Sequence, residues 1–350
     1  MKISLGGIVS LIYIGILTVL SALAYVLAPD NSPNANQMHL SIHSKPPGFK
    51  TKMLLLPLDA IPEKGSIWTG KPATVEKIPI KSWRITSEQL EIQTYGTAEG
   101  YFKPIPIERF SDSILDKASF EQKWISNQDF ILGTDKFGRD LLSRLLIGSR
   151  ISLSIGFVAV FLSLLIGVVI GALAGYYGGV LDRAILALIN IVWSIPTLLL
   201  VIGITLVLGR GFWQVFIAVG LSMWVEVARL VRGQVLAVKE KTFIEAATAL
   251  GFSDIRIIFK HILPVMTGPI IVIASANFAS AILIESGLSF LGIGAQPPIP
   301  SWGGMVKEHF RYLLLGKAYL ALLPGVAIMS LVLAFMTLGN SLRDYLDVKT

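Results

Sequence analysis

The sequence predicts an all-α polytopic membrane protein with six transmembrane helices and a small β-containing extracytoplasmic insertion after the first helix. The first observation is bulk: of 350 residues, 53% are hydrophobic and 15% charged, with a mean hydropathy of +0.68, well outside the range of soluble domains. The second is patterning. Apolar windows at about 5–28, 151–177, 184–208, 212–231, 268–292 and 318–340 each reach the roughly 20 residues a helix needs to cross the hydrocarbon core. Runs such as IGFVAVFLSLLIGVVIGALAG are apolar on every face, whereas barrel strands alternate. The third is a shift in composition: ten of the seventeen prolines fall between 29 and 125, which breaks long helices there.

Taken in order, residues 1–28 form the first transmembrane helix. Ala22-Leu23-Ala24 also resembles a small-x-small cleavage site, but the apolar run exceeds the 7–15 residues typical of a signal-peptide core. Residues 29–130 form the extracytoplasmic insertion, where Trp83, Ile85, Leu90 and Ile92 alternate with polar neighbours and predict short strands. The main membrane-spanning unit fills residues 131–350. Its opening stretch, 132–150, places Phe137, Leu141, Leu145 and Gly148 at helical spacing, with Lys136, Arg139, Asp140 and Arg144 elsewhere on the wheel. That predicts an interfacial lead-in helix, with Thr134 or Asp135 as N-cap.

In the second span Gly167, Gly171 and Gly175 recur every four residues, a small-residue stripe that lets another helix approach closely. The partner helix is either in this chain or in another subunit. Orientation follows the short loops. Arg229, Arg232, Lys239, Lys241, Arg256 and Lys260 gather between 229 and 261, against Arg210 alone near 209–212, so the first of these loops is cytoplasmic. Alternation then places both termini in the cytoplasm. The net charge of +7 reads as a solvated basic surface and implies no nucleic-acid partner.

Between the fourth and fifth spans runs EAATALGFSDIRIIFKHILP, Glu245 to Pro264. Ile244, Ala247, Gly251, Ile255, Ile258 and Ile262 form one apolar stripe through a segment rich in charge, which predicts two short amphipathic helices. Gly251 is placed to end the first in the left-handed conformation, Ser253 to cap the second, and Pro264 to stop it. Ala246, Ala247 and Ala249 keep the first helix slim. Such a corner either docks in a groove of another protein or lies on the lipid surface.

Motifs for chemistry within the chain are missing. The Gly-Lys pairs at 70–71 and 316–317 are followed by proline and alanine, so no phosphate-cradling loop is present and no ATP hydrolysis is expected here. The four histidines, 39, 43, 261 and 309, form no H-E-x-x-H, and no metal site or catalytic residue is assigned. There is no cysteine. Glu285 and Glu226 stand out because ionisable groups inside a membrane are costly.

The stretch from Glu245 resembles the EAA loop of ABC-importer permeases: Glu-Ala-Ala, three residues, Gly, nine residues, His-x-Leu-Pro. Glu245, Ala246, Ala247, Gly251, His261, Leu263 and Pro264 match that pattern. More narrowly, residues 130–348 are similar to the C-type permease subunits of oligopeptide, dipeptide and nickel importers, through LGTDKFGRDLLSRLLIGSRISLSIG, AGYYGGVLDR, ARLVRGQVLAVKEKTFIEAA, ESGLSFLGIGAQPPIPSWGGM and LRDYLD. The resemblance implies a bacterial inner-membrane importer in which this chain forms half of the pore. It implies a second homologous permease, two P-loop ATPase subunits that bind ATP and Mg, and an extracytoplasmic substrate-binding protein. The EAA loop, near 239–264, would couple to the ATPases through Glu245, Ala246, Ala247, Gly251, Asp254, His261 and Pro264. Glu285, Ser289, Phe290 and Trp302 are the pore or gate candidates. Peptides are the first choice of cargo, with nickel or another small solute as the alternative and an ion-coupled carrier as the rival of another class. Asn190 and Asn340 depart from the carboxylates common at those positions.

Overall fold

A computed structural model describes residues 4–58, 65–86, 89–98, 100–110, 117–209 and 211–347; Arg210, the lone cation of the 209–212 loop, lies outside them. Helix α1, Leu5–Ala22, is capped by the Ser4 hydroxyl, which accepts from the Gly7 amide at 3.1 Å. The chain kinks at Leu23 and resumes as a single turn, α2, Ala24–Leu27, so the first span is shorter than the predicted window.

The insertion folds as an antiparallel sheet of β1 (Phe49–Pro57), β2 (Val75–Ile85), β3 (Gln89–Thr94), β4 (Lys103–Pro106) and β5 (Ile125–Phe130), in the order β4-β3-β2-β1-β5. The predicted alternation sets its register: Trp83 lies opposite Ile92 and Ile85 opposite Leu90. One face is closed by α3 (Lys117–Trp124), where Phe120 packs edge-on to Phe110 with ring centroids 5.3 Å apart. Leu54, Leu56, Ile80, Leu90, Ile92 and Ile105 complete this core.

The sheet leads directly into the bundle. Helix α4 runs unbroken over Leu141–Tyr177, about 55 Å at 1.5 Å per residue, so the predicted lead-in helix and second span are one helix. Its N-cap is Asp140, which accepts from the Ser143 amide at 2.8 Å, and neither Thr134 nor Asp135. Burial raises the Asp140 carboxyl above its ordinary range despite the Ser143 bonds. Asp135 instead organises the turn before the helix, accepting from the Phe137 and Arg139 amides at 2.8 and 3.0 Å.

Helices α5 (Gly179–Trp193) and α6 (Thr197–Leu208) follow, bent by 91° at Ser194–Pro196. The predicted third span is therefore broken. Proline removes a backbone donor and pushes the residue before it out of helical geometry, which hydropathy does not register. Helix α7 (Phe212–Lys239) returns along α4. Then come α8 (Thr242–Ala249), α9 (Asp254–Ile257), a π-helical turn over Ile258–Ile262 and α10 (Leu263–Val265). Helix α11 (Thr267–Leu291), α12 (Trp302–His309) and α13 (Tyr319–Asp347) complete the chain. Among the described residues, five helices are long and apolar enough to span, and the bent pair makes six.

The two ends of the bundle differ. At one, the sheet is fastened by the Tyr319 hydroxyl donating to the Lys45 carbonyl at 2.6 Å and by the Asp30 amide donating to Ser143 at 2.9 Å. At the other, the Ser4 and Ser341 hydroxyls meet at 2.7 Å, so the first and last helices close together, and Leu346 of α13 packs at Gly268, at the start of α11.

Candidate functional site

The predicted corner is built by its own backbone. Gly251 adopts φ +74°, its amide donates to the Thr248 carbonyl at 2.9 Å, and the Phe252 amide donates to that of Ala247 at 3.2 Å. These two bonds are the Schellman closure that satisfies the last carbonyls of a helix. A Cβ at Gly251 would meet nothing within 4 Å, so the requirement for glycine is conformational and not steric. Ser253 occupies the N-cap position of α9 but its side chain makes no capping bond.

Two predicted features differ. Pro264 does not stop the second helix; it sits in the first turn of α10, after the π-helical turn, whose wider ring accommodates a residue without an N–H. The predicted stripe also divides. Ile244, Ala247, Ile258 and Ile262 are buried against Val231, Val235 and Tyr176, joined by Ile257, whereas Ile255 is 69% exposed. Glu245, Ala246 and Gly251 are exposed as well. With Leu250 at 72% and Phe259 at 62% exposure, the corner presents an apolar tip beside the exposed carboxylates of Glu245 and Asp254.

Anchors hold this tip together and to the bundle; of the residues involved, Tyr176 and Phe252 were not singled out in the sequence. The Tyr176 hydroxyl, at the end of α4, donates to Asp254 at 2.9 Å, and Lys239 donates to the Tyr176 carbonyl at 2.6 Å. Phe252 stacks with the His261 ring at 5.7 Å and carries the Arg256 guanidinium over its face at 3.9 Å. Asp254 and His261 thus hold the corner in place, while Glu245 and Ala246 face outward.

The α4 glycines connect this end to the rest. A Cβ at Gly167 would lie 2.5 Å from Val227 Cβ, and one at Gly175 would lie 2.8 Å from the Arg232 carbonyl oxygen. At Gly171 it would overlap the Ala228 carbonyl. All three contacts are with α7 of the same chain. The corner is thus tied to two long helices that pack backbone to backbone.

Beside the α5–α6 bend lies a cleft of about 400 Å³ between Trp193, Leu198, Met223, Glu226 and Leu283. Glu226 is exposed there. Asn190 accepts from Arg229 at 3.4 Å, and that guanidinium lies 3.9 Å over the Trp193 ring. A neutral amide so far from the cation makes a weak bond where a carboxylate would make an ion pair. Asn340 is exposed.

Glu285 sits near the opposite end of α11 and is fully buried. Its Oε1 accepts from Ser289 at 2.6 Å, and Ser289 in turn accepts from Ser301 at 3.2 Å; Oε2 has no hydrogen-bond partner among the described residues. Trp302 is buried and donates to the Leu145 carbonyl at 2.9 Å, joining α12 to α4. Phe290 is half exposed and packs edge-on to Phe310. The structure therefore brings Glu285, Ser289 and Trp302 together through Ser301, and leaves Phe290 on the surface.

Behind Trp302, Asp135, Glu308 and His309 direct ligand atoms to within 4.8 Å of one another. Arg139 already donates to Asp135 at 2.6 Å and to Glu308 at 2.9 Å. The Arg139 guanidinium bridges both carboxylates and Arg144 lies 3.7 Å from Asp135, so the cluster reads as a buried ion-pair network. The buried His309 donates from Nδ1 to the Met305 carbonyl at 2.8 Å, and burial lowers its pKa.

Comparison with known proteins places these features. A glutathione transport system permease protein of Pectobacterium atrosepticum is 39% identical over 250 residues, covering 71% of this chain and 80% of that protein. A dipeptide transport system permease protein of Alkalihalophilus pseudofirmus is 43% identical over 217 residues, covering 62% and 71% respectively. A chain of the MetNI methionine ABC transporter, in inward-facing conformations, superposes with a TM-score of 0.49 at 21% identity, covering 58% of this chain and 96% of that one. The family model for binding-protein-dependent transport system inner membrane components matches residues 167–350, a span that contains the corner, the cleft and the Glu285 cluster. With more than half of its length in that match, the chain belongs to the family of binding-protein-dependent transport system inner membrane components.

Proposed function

We propose that this permease subunit forms half of the translocation pore of an ATP-driven importer of di- or oligopeptides, and that its α8–α10 corner is where an ATPase subunit engages. The observation that carries the reading is the corner: a rigid, apolar-tipped knob, Leu250 and Ile255 outermost, flanked by Glu245 and tied to α4 and α7. A helix tip of this shape suits a groove on a partner. Two ATPase subunits, holding ATP and Mg, and a second permease complete the assembly in this reading. The exposed α5–α6 bend and its cleft face that second permease.

The proposed orientation puts the corner and both termini in the cytoplasm and the sheet outside. The cations of the 229–261 segment support it, as does the packing of Leu346, near the end of α13, at Gly268, just after α10. An extracytoplasmic binding protein then delivers cargo at the sheet end. Peptides are favoured because the relatives above are named for dipeptide and glutathione transport. ATP-driven closure of the ATPases moves the corner, and the α4–α7 seam carries the motion to the pore. Such coupling requires that the knob stay docked while the states exchange.

The test is Gly251→Pro against Gly251→Asn. Proline cannot adopt φ +74° and loses the amide bond to Thr248, whereas asparagine tolerates the left-handed region. The proline variant is expected to insert in the membrane yet abolish uptake, and the asparagine variant to transport. Uptake by the proline variant at the wild-type rate would remove the corner from the mechanism.

A further inference from the structure

At the sheet end a cavity of about 660 Å³ opens between the loop after α11, the α12 helix and the start of α4. Its size suits a small molecule. Four cations line it, Lys136, Arg144, Lys307 and Arg311, against one carboxylate, Glu308. Glu308 is bonded to Arg139, and the buried pairs balance: Asp135 and Glu308 against Arg139 and Arg144. Asp30 and Asp140 are close by but do not line the cavity; they accept from the Ser32 and Gln37 amides and from Ser143. Lys136, Lys307 and Arg311 have no carboxylate within ion-pair distance among the described residues. The cavity is left with an excess of positive charge.

The serines and the glutamine of the wall have already used their donors. Ser301 donates to Ser289 and Ser289 to Glu285, while the Gln296 amide donates to the Gly292 and Gly294 carbonyls at 3.0 and 2.9 Å. Arg144 is different. It is 2% exposed, gives one bond to the Asn34 carbonyl at 3.4 Å, and its Nε lies 3.7 Å from Asp135, without a hydrogen-bond partner. A buried guanidinium with unused donors, facing a cavity rimmed by exposed Lys307 and Arg311, is a site for a planar anion.

We propose that this cavity receives the free carboxylate of the cargo as the binding protein releases it, with Arg144 in the deep wall and Lys307 and Arg311 at the rim. The proposal rests on the importer reading above and specifies its cargo: a small solute carrying a carboxylate, as a peptide does at its C-terminus. The role is capture. A solute held at the mouth is retained until the outer side closes, and one not held escapes outward while ATP is still hydrolysed. The site lies beside Ser289 and Ser301, so an occupant is adjacent to the buried Glu285 cluster.

The experiment uses the assembled importer in proteoliposomes with saturating binding protein, and labelled dialanine or dialanine amide as the probe. Binding of each probe to the isolated binding protein is measured separately. Lys307→Gln with Arg311→Gln, both exposed positions, is compared with Lys307→Arg. The expected result is that dialanine imported per ATP hydrolysed falls about tenfold in the double variant, as for loss of a charged hydrogen bond, with ATPase rate unchanged, amide import unaffected and Lys307→Arg retaining wild-type import. Equal dialanine import by wild type and the double variant overturns the proposal and leaves peptide import standing. Loss of binding-protein-stimulated ATPase instead assigns these cations to protein docking and overturns it too. If the wild type imports neither probe, although the binding protein stimulates its ATPase, the peptide reading fails and this proposal with it.

Discussion

Glu285 and His309 show how far single residues decide the chemistry at the sheet end. Glu285 offers Oε1 to Ser289 and leaves Oε2 without a partner. Glutamine keeps the accepting oxygen at nearly the same volume, whereas leucine leaves the Ser289–Ser301 pair without its acceptor. Glu285→Gln is therefore expected to unfold in detergent close to wild type, and Glu285→Leu to lose about 1–3 kcal/mol. His309 carries a pH dependence whose sign follows from its lowered pKa. The unfolded chain takes up a proton below about pH 6.5, and the folded chain resists it, so stability is lost as pH falls through that value. The thermal midpoint should fall from pH 7.5 to 5.5 with a slope of up to about 1.4 kcal/mol per pH unit from this group, and His309→Asn should flatten it.

Among the elements, the α4–α7 seam gives the sharpest comparison. An added methyl at Gly171 overlaps the Ala228 carbonyl, while at Gly203, within α6, it meets nothing within 4 Å. Gly171→Ala should destabilise the solubilised protein by about 1–3 kcal/mol, and Gly203→Ala should be neutral or stabilise by up to about 1 kcal/mol; thermal unfolding in one detergent distinguishes them. That stripe was legible because its spacing is local and its geometry follows from helix periodicity. The corner was legible for the same reason: Gly251 lies two residues past the last residue of the helix it terminates. Tyr176, which anchors Asp254, lies 78 residues away in sequence, and no periodicity connects the two. The α5–α6 bend was hidden for another reason. Hydropathy sums side chains, whereas Pro196 acts through the backbone. Asp135 misled as an N-cap because its residue type suits one, yet two nearby arginines draw it into a buried ion-pair network and leave capping to Asp140.

Over the whole molecule, one end bears a sheet and a basic cavity and the other an exposed apolar tip, with long helices packed between them. That polarity is what a machine needs when cargo arrives at one end and mechanical work at the other. In the proposed function the tip engages an ATPase. The most direct measurement is to solubilise membranes gently, capture the chain by a C-terminal tag, and identify the co-purifying proteins by mass spectrometry for wild type and Glu245→Lys. Recovery of a P-loop ATPase and a second permease with wild type, and loss of the ATPase alone from the variant, is the expected result. An ATPase retained at the wild-type level by Glu245→Lys, or absent from both preparations, would contradict it.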